Sequence, residues 1–261
     1  MKQEVLWVVG AVALVGLGAL FYYQRQQEGM EQQPEVAVGT PAASESEATI
    51  QNPVPAAEPS DTPLPALNES DQPARESLAG LFGEDAIAQY LVPDEVVRHF
   101  VVTVDNLPRR KLALNMRPVT PTSGEFVTSG DGTGLTLDAA NYARYAPLVK
   151  VVGAADAKQV ASLYVRYYPL LQQSFENLGY PSAYFNDRVV EVIDHLLETP
   201  EIKGPIKLVQ PRVYYEFADP ALEARSSGQK LLIRMGSENA AVIKTKLREV
   251  RAELAAKPPA P

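Results

Sequence analysis

The chain has 261 residues, 22 prolines, no cysteine and a formal net charge of −8. Because it lacks cysteine, it cannot carry a lipid anchor on a processed cysteine, and it is compatible with an oxidising compartment. Residues 24–76 contain ten acidic and two basic side chains, so this segment accounts for the whole net charge and the rest of the chain is neutral. A neutral domain argues against nucleic acid as a partner.

Residues 5–23 form an apolar run without a charged side chain. A helix of about 20 residues spans roughly 30 Å, the hydrocarbon thickness of a bilayer, and Trp7 and Tyr23 suit the aromatic belts at its two surfaces. A cleaved signal peptide is the alternative, but its apolar core is usually only ~7–15 residues long and ends in a small-x-small site. We therefore predict a retained, single-pass transmembrane helix. Lys2 lies on the short side, which favours a cytoplasmic N-terminus and an exported C-terminal body.

Residues 24–76 have the composition of a disordered linker. Eight prolines interrupt runs of Ala, Ser, Thr, Gln and Glu, and no apolar period of a helix or a strand is present. Such a segment buries too little apolar surface to offset its chain entropy. As a flexible coil of about fifty residues it has a span of roughly 40 Å, so we interpret it as a spacer between membrane and domain.

Residues 77–257 are predicted to form one mainly helical globular domain. Helical spacing of apolar residues recurs at 86–91, 94–104, 137–152, 156–179, 184–198, 227–235 and 237–254. The second of these segments is rich in β-branched residues, which leaves a strand as the alternative there. Asp156 and Asp219, which precede an apolar run and a proline, are predicted N-caps. Pro169 is expected to kink or restart the helix at 156–179. Residues 206–209 and 213–217 flank Gln210-Pro211 and predict a small β-hairpin. The predicted fold class is therefore mainly α with a minor β part.

A glycine-rich run at residues 130–134, Gly-Asp-Gly-Thr-Gly, lies in a segment predicted as loop. It resembles a phosphate-binding loop only in composition, because the Lys-Ser/Thr that completes such a loop is missing and no apolar strand precedes it. We interpret the run as a surface turn.

The helix predicted at 184–198 carries Asp187, Glu191 and Asp194 on one narrow arc, with His195 beside it. A carboxylate next to a histidine can transfer protons, as an envelope hydrolase or lyase would require. A zinc-binding helix would need a second histidine four residues away, and the only other histidine is His99. We therefore predict no metal and no cofactor, and a solvated face with helical ion pairs is the preferred interpretation.

The last helix carries Lys244, Arg248 and Arg251 at i, i+4 and i+7. Cations near a helix C-terminus interact favourably with the helix dipole. Two alternatives remain open for this basic stripe: it binds an anionic ligand, or it docks on the acidic arc of the helix at 184–198.

Three stretches of sequence resemble a bacterial family catalogued as domain of unknown function 3014. They are residues 101–110 (VVTVDNLPRR), 180–197 (YPSAYFNDRVVEVIDHLL) and 217–236 (FADPALEARSSGQKLLIRMG). The resemblance implies a Gram-negative, membrane-associated protein, which places the anchor in the inner membrane and the domain in the periplasm. It implies no activity and no catalytic residue. Polar members of the three stretches are predicted to meet in one binding site, with capping and buried ion pairing as the alternative: Asp105, Asn106, Arg109, Asn186, Asp187, Arg188, Asp219, Gln229, Lys230 and Arg234.

These observations favour a non-enzymatic function, since no complete set of nucleophile, base or metal ligands is present. We predict a membrane-tethered periplasmic interaction or scaffold module whose partner is an envelope protein or the cell wall. The alternatives are an envelope hydrolase or lyase that uses an acid with His195, and anionic-ligand binding by the C-terminal basic helix.

Overall fold

The computed structural model describes residues 49–57 and 62–255, so the transmembrane helix predicted at residues 5–23 lies outside the described part of the chain. The described helices are α1 (Asp71–Phe82), α2 (Glu84–Tyr90), α3 (Val96–Asn106), α4 (Ala140–Ala143), α5 (Ala146–Ala154), α6 (Ala157–Asn177), α7 (Phe185–Leu197), α8 (Pro220–Glu223), α9 (Ser227–Arg234) and α10 (Ser237–Leu254). The strands are β1 (Thr128–Ser129), β2 (Thr136–Leu137), β3 (Leu208–Val209) and β4 (Glu216–Phe217). The mainly helical fold with a minor β part is therefore confirmed. Within residues 49–57 and 62–255, no helix is both long and apolar enough to cross a bilayer.

Helix α1 belongs to the folded body, although its first half lies in the segment predicted as linker. The carboxylate of Asp71 accepts hydrogen bonds from the backbone nitrogens of Glu95 (2.9 Å) and Val96 (2.8 Å) at the start of α3. These are donors that a helix leaves unpaired at its N-terminus. Pro73 was one of the prolines that led to the linker prediction for this stretch, but proline is tolerated in the first turn of a helix. The body therefore begins upstream of the predicted boundary at residue 77.

Residues 51–54, also predicted as linker, lie against the start of α7. The carboxylate of Asp187 accepts hydrogen bonds from the backbone nitrogens of Gln51 (3.0 Å) and Asn52 (2.6 Å). The backbone nitrogen of Val54 donates to the hydroxyl of Tyr184 at 3.0 Å. Nothing in the local sequence signals this attachment, because its partners are more than a hundred residues away.

Two helical predictions differ in detail from the structure. The single helix predicted at 137–152 is instead strand β2 followed by α4 and α5, and Pro147 sits in the first turn of α5, where proline favours a helix start. Helix α6 runs without interruption from Ala157 to Asn177, so it does not restart at Pro169. The segment at 94–104 is a helix rather than a strand, and the predicted N-caps Asp156 and Asp219 are confirmed by side-chain hydrogen bonds to Gln159 and Ala221.

The strands form two antiparallel pairs that lie side by side. Strand β1 pairs with β2, and β3 pairs with β4, which confirms the predicted hairpin. The two pairs are joined because the backbone nitrogen of Leu137 donates to Ile206 and that of Leu208 donates to Leu135, both at 2.8 Å. A small apolar cluster of Leu137, Ile206, Leu208, Phe217 and Ile233 packs under these strands.

The main core lies among the long helices. Helix α3 buries Val96, Val97, Val101 and Val104, and these side chains pack with apolar residues of α6, α7 and α10. Helix α10 contacts α5, α6 and α7, so the C-terminal helix closes the bundle.

Candidate functional site

A buried carboxylate joins two of the three stretches that carry the family resemblance. Asp105, near the end of α3, accepts a hydrogen bond from Arg109 at 2.5 Å and from Nε of Arg188 in α7 at 3.2 Å. The hydroxyl of Tyr180 donates to the same carboxylate at 3.3 Å and accepts from Arg109 at 2.8 Å. Glu191 adds an exposed ion pair to Arg188 at 2.8 Å. The carboxylate is therefore neutralised and fully hydrogen-bonded, as a buried charge requires.

The third stretch meets the same place through backbone contacts. The backbone nitrogen of Ser227 donates to the carbonyl of Arg109 at 2.7 Å, and that of Gly228 donates to Leu107 at 2.9 Å. The hydroxyl of Ser227 also donates to the Arg109 carbonyl at 2.8 Å. The free donors at the start of α9 thus pair with carbonyls just beyond the end of α3, so two helix termini satisfy each other. We call Asp105, Arg109, Tyr180, Arg188, Ser227 and Gly228 the polar junction.

Three of the ten predicted site residues belong to the polar junction, and two more flank it. The side-chain amide of Asn106 donates to the carbonyl of Val102 at 2.7 Å within α3. That of Gln229 donates to the carbonyl of His195 at 2.9 Å. Both side chains fix helices rather than face a ligand.

The other predicted site residues lie elsewhere. Asn186 is fully buried and its amide donates to the carbonyls of Asn52 (2.9 Å) and Leu254 (3.0 Å), while Asp187 holds residues 51–52. Asp219 caps α8. Lys230 pairs with Glu223 at 2.6 Å, and Arg234 lies over the ring of Phe217 at 5.2 Å. The polar set is therefore distributed over separate contacts instead of one cleft.

Electrostatics agree with a structural role for these pairs. Partial burial lowers the pKa of Arg188, but the hydrogen bond and charge of Glu191, together with Asp105, raise it overall. For the Glu223 carboxyl the directions are reversed: partial burial raises the pKa, but hydrogen bonds from Lys230 and from the backbone of Phe217 lower it overall. Both pairs thus hold their charged forms.

The histidine predicted as a proton carrier contacts a serine and no carboxylate in the described part of the chain. Nε2 of His195 lies 2.8 Å from Oγ of Ser226. That oxygen caps α9 by accepting from the backbone nitrogen of Gln229 at 3.2 Å. Of the neighbouring acids, Glu191 pairs with Arg188 and Asp194 with Arg251 (2.8 Å). Among the described residues, no three acidic or histidine side chains come close enough to hold a metal ion.

The basic stripe docks on the acidic arc at one point. Arg251 pairs with Asp194, which confirms the intramolecular alternative for this residue. The ammonium of Lys244 donates to the carbonyl of Thr199, and partial burial lowers its pKa. Only Arg248 of the three is an exposed side chain. The stripe therefore offers one open cation to an anionic ligand.

A large apolar cavity lies among the helices of the bundle and opens to the surface, and no sequence pattern predicted it. Its volume is about 520 Å³, and residues of α1, α2, α3, α5, α6, α7 and α10 line it. The lining is almost wholly apolar; Lys246 is its single charged residue within the described part of the chain.

The tip of the β3–β4 hairpin is the most exposed apolar feature of the described surface. Val213 is 78% exposed and Tyr214 is 82% exposed. At the base of the hairpin, Tyr215 stacks on Phe126 with ring centroids 5.4 Å apart. The side chains of Val213 and Tyr214 therefore project into solvent from a hairpin whose base is held by this ring stacking.

A sequence model of a protein family, described as "Protein of unknown function (DUF3014)", matches residues 96–251, which is more than half of the chain. The match contains all three stretches named above and the whole polar junction, but α1 and α2 lie upstream of it. No curated protein and no solved structure matches the chain.

Proposed function

The chain belongs to the family of unknown function DUF3014, and we propose that it is a non-enzymatic interaction module held in the bacterial inner membrane by one transmembrane helix. The apolar run at residues 5–23 supports the anchor, and the position of Lys2 supports a periplasmic body. The proposed partner is an envelope protein.

The observation that carries this proposal is the hairpin tip formed by Val213 and Tyr214. Exposed apolar side chains normally occur singly on a soluble surface, whereas adjacent ones mark interaction sites. Tyrosine is among the residues that contribute most to protein–protein binding, because its rigid ring buries a large area at low entropic cost. Arg212, the exposed residue before Val213, is an arginine, and arginine is also enriched in protein–protein interfaces.

The proton-transfer alternative has less support. It would need His195 within about 3 Å of a catalytic acid or of a shared water. The acids on α7 pair with arginines or with residues 51–52, and Ser226 is occupied as the cap of α9.

The partner proposal is tested by photo-crosslinking in intact Gram-negative cells. A photoreactive amino acid replaces Tyr214 in the full chain, and a second version carries it at Val242, an exposed apolar position on α10. We expect a discrete crosslinked protein from position 214 that Val213→Ser abolishes and Val242→Ser leaves unchanged. Equal patterns from both positions, or no product from position 214, would overturn the proposal.

The topology is tested by cysteine labelling, which is clean because the natural chain has no cysteine. Ser237→Cys, at an exposed site, is expected to react with a membrane-impermeant maleimide in cells whose outer membrane alone is opened. Lys2→Cys is expected to react only after the inner membrane is permeabilised. The reverse pattern would place the body in the cytoplasm and remove the envelope role.

A further inference from the structure

The apolar cavity has the size of a ligand site. Small-molecule pockets in proteins measure roughly 300–1,000 Å³, and this cavity has about 520 Å³. Apolar cavities of about 150 Å³ already stay free of water and bind benzene. Protein interiors are otherwise close-packed, with few voids larger than a water molecule. A space of this volume, lined by seven helices, therefore has room for a small-molecule ligand.

The lining determines the chemistry of the occupant. Lys246 is its one charged residue in the described part of the chain, and the ammonium already donates to the carbonyl of Ala155 (2.6 Å) and to Glu249 (2.5 Å). A charged or strongly polar group placed inside would lose its hydration without gaining a partner. The buried part of the occupant must therefore be hydrocarbon.

The surrounding helices are incompletely buried on the side that faces the cavity. Leu78 on α1, Ile87 on α2, Val151 on α5 and Ile243 on α10 all line the cavity, yet each remains partly exposed. Core side chains of this kind are normally fully buried in a helical bundle. A hydrocarbon occupant would complete their burial, which is the main source of affinity for an apolar ligand.

The lining also reaches the surface. Phe100 and Val119 line the cavity and are each 37% exposed, so the occupant can enter between α3 and the segment that carries Val119.

We infer that this cavity binds a hydrocarbon chain, which is the acyl chain of a membrane lipid or of a free fatty acid. The polar head stays outside, because the interior offers it no counter-charge. This inference rests on the cavity and its lining, and it does not depend on the interaction proposed for the hairpin tip.

The test uses the full chain reconstituted in lipid vesicles. In one arm, the vesicle phospholipids carry a photoreactive diazirine in one acyl chain; in the other, a free fatty acid carries the same group and the phospholipids are unlabelled. After irradiation, the protein is digested and the labelled peptides are identified by mass spectrometry. We expect labelled peptides from Val96–Asn106, Ala157–Asn177 and Ser237–Leu254 in at least one arm, and the arm that gives them identifies the source of the chain.

A matched pair of variants on α2 separates the cavity from the surface. Ala86 lines the cavity, whereas Ala88 lies on the exposed side of the same helix. Ala86→Phe occupies space in the cavity and is expected to reduce the labelling by about tenfold or more, since each methylene that no longer fits an apolar pocket costs about that factor. Ala88→Phe is expected to leave the labelling unchanged. Circular dichroism confirms that both variants are folded.

Three outcomes would overturn the inference. Labels confined to residues 5–23 would report lipid around the predicted anchor alone. Labels confined to the hairpin tip would report adsorption at an exposed surface. Absence of label from the cavity peptides of the natural chain in both arms would show that no acyl chain enters, and this result does not depend on how Ala86→Phe folds. Each outcome leaves the crosslinking test at Tyr214 independent.

Discussion

Helix α7 contributes to both the polar junction and the apolar cavity. The polar groups of the junction are paired with one another, whereas the cavity is a space that the side chains leave unfilled. At the junction, Arg188 of α7 pairs with the buried Asp105, and backbone groups of α3 and α9 satisfy each other. Val192 and Ile193 of the same helix face a space of about 520 Å³. The polar residues of the three family-like stretches therefore hold helices together, whereas apolar residues with no recognisable motif line the space that a ligand could occupy.

The largest expected effect comes from two neighbouring leucines that differ only in what they face. Leu170 and Leu171 are equally buried, at 6% and 5% exposed, but only Leu171 lines the cavity. We expect Leu170→Ala to reduce the free energy of unfolding by about 3–5 kcal/mol. Leu171→Ala is expected to cost at least about 1 kcal/mol less in ligand-free protein, because a side chain beside a void has fewer contacts to lose. Urea unfolding followed by circular dichroism measures both, and equal costs would mean that the cavity is packed.

At the polar junction, we expect the buried carboxylate of Asp105 to contribute far more to the free energy of unfolding than the exposed carboxylate of Glu191. Asp105→Ala removes the buried carboxylate and leaves the partly buried Arg188 with only the exposed Glu191 as a partner, and breaking such a buried pair costs about 3 kcal/mol. Glu191→Gln removes an ion pair to the same arginine, but the Glu191 side chain is 66% exposed, so we expect a cost below about 1 kcal/mol. Similar unfolding free energies for the two variants would contradict a buried network at Asp105.

A glycine tests how closely the helix termini of the junction approach. A Cβ at Gly228 would lie 2.6 Å from Cδ2 of Leu196 and 3.1 Å from the carbonyl of Leu107. Gly228→Ala is therefore expected to push α9 away from α3 and to cost roughly 1–3 kcal/mol of unfolding free energy. Gly80→Ala is the control: no atom lies within 4 Å of that Cβ, and replacing a helical glycine should stabilise by about 0.5–1 kcal/mol. A neutral Gly228→Ala would show that the termini have room to spare.

The smallest effect is expected at a polar pair outside the junction, and it depends on pH. The folded state holds the pKa of Glu223 below its ordinary value of 4.5, mainly through Lys230 and against partial burial. Its stabilising contribution is therefore present above pH 4.5 and is lost as the pH falls through the folded pKa. We expect Glu223→Gln to cost about 1 kcal/mol near neutral pH and the difference from the natural chain to shrink on acidification. Thermal unfolding across this pH range measures it, and a difference that persists in acid would assign the effect to packing.

Local patterns predicted most of the helices, because capping and apolar spacing act within a few residues. Asp156 and Asp219 were identified as N-caps from their position before an apolar run or a proline, and both accept the expected backbone hydrogen bonds. The same reasoning failed at Pro73, where proline and acidic composition concealed the first turn of α1. A proline signals a helix start and a linker equally well when its neighbours are considered alone.

The candidate site was harder to predict than the helices. Tyr180 lies within the stretch that resembles the family, but its contact with Arg109 spans 71 positions, so no spacing rule could reveal it. Asp105, Arg109 and Arg188 lie together in the structure, whereas Asp187 binds residues 51–52 instead. Helical periodicity gives the direction of a side chain but not the element that it will meet.

The amino-acid sequence alone determined the family, the class of fold and the position of most helices of this protein, because these depend on short-range periodicity, caps and specific stretches of residues. Tertiary structure alone decided which polar side chains pair, how far upstream the folded body begins, and that the bundle leaves an apolar cavity open to the surface. A cavity is the volume that seven helices fail to fill together, and volume is a property of their packing that no single segment carries.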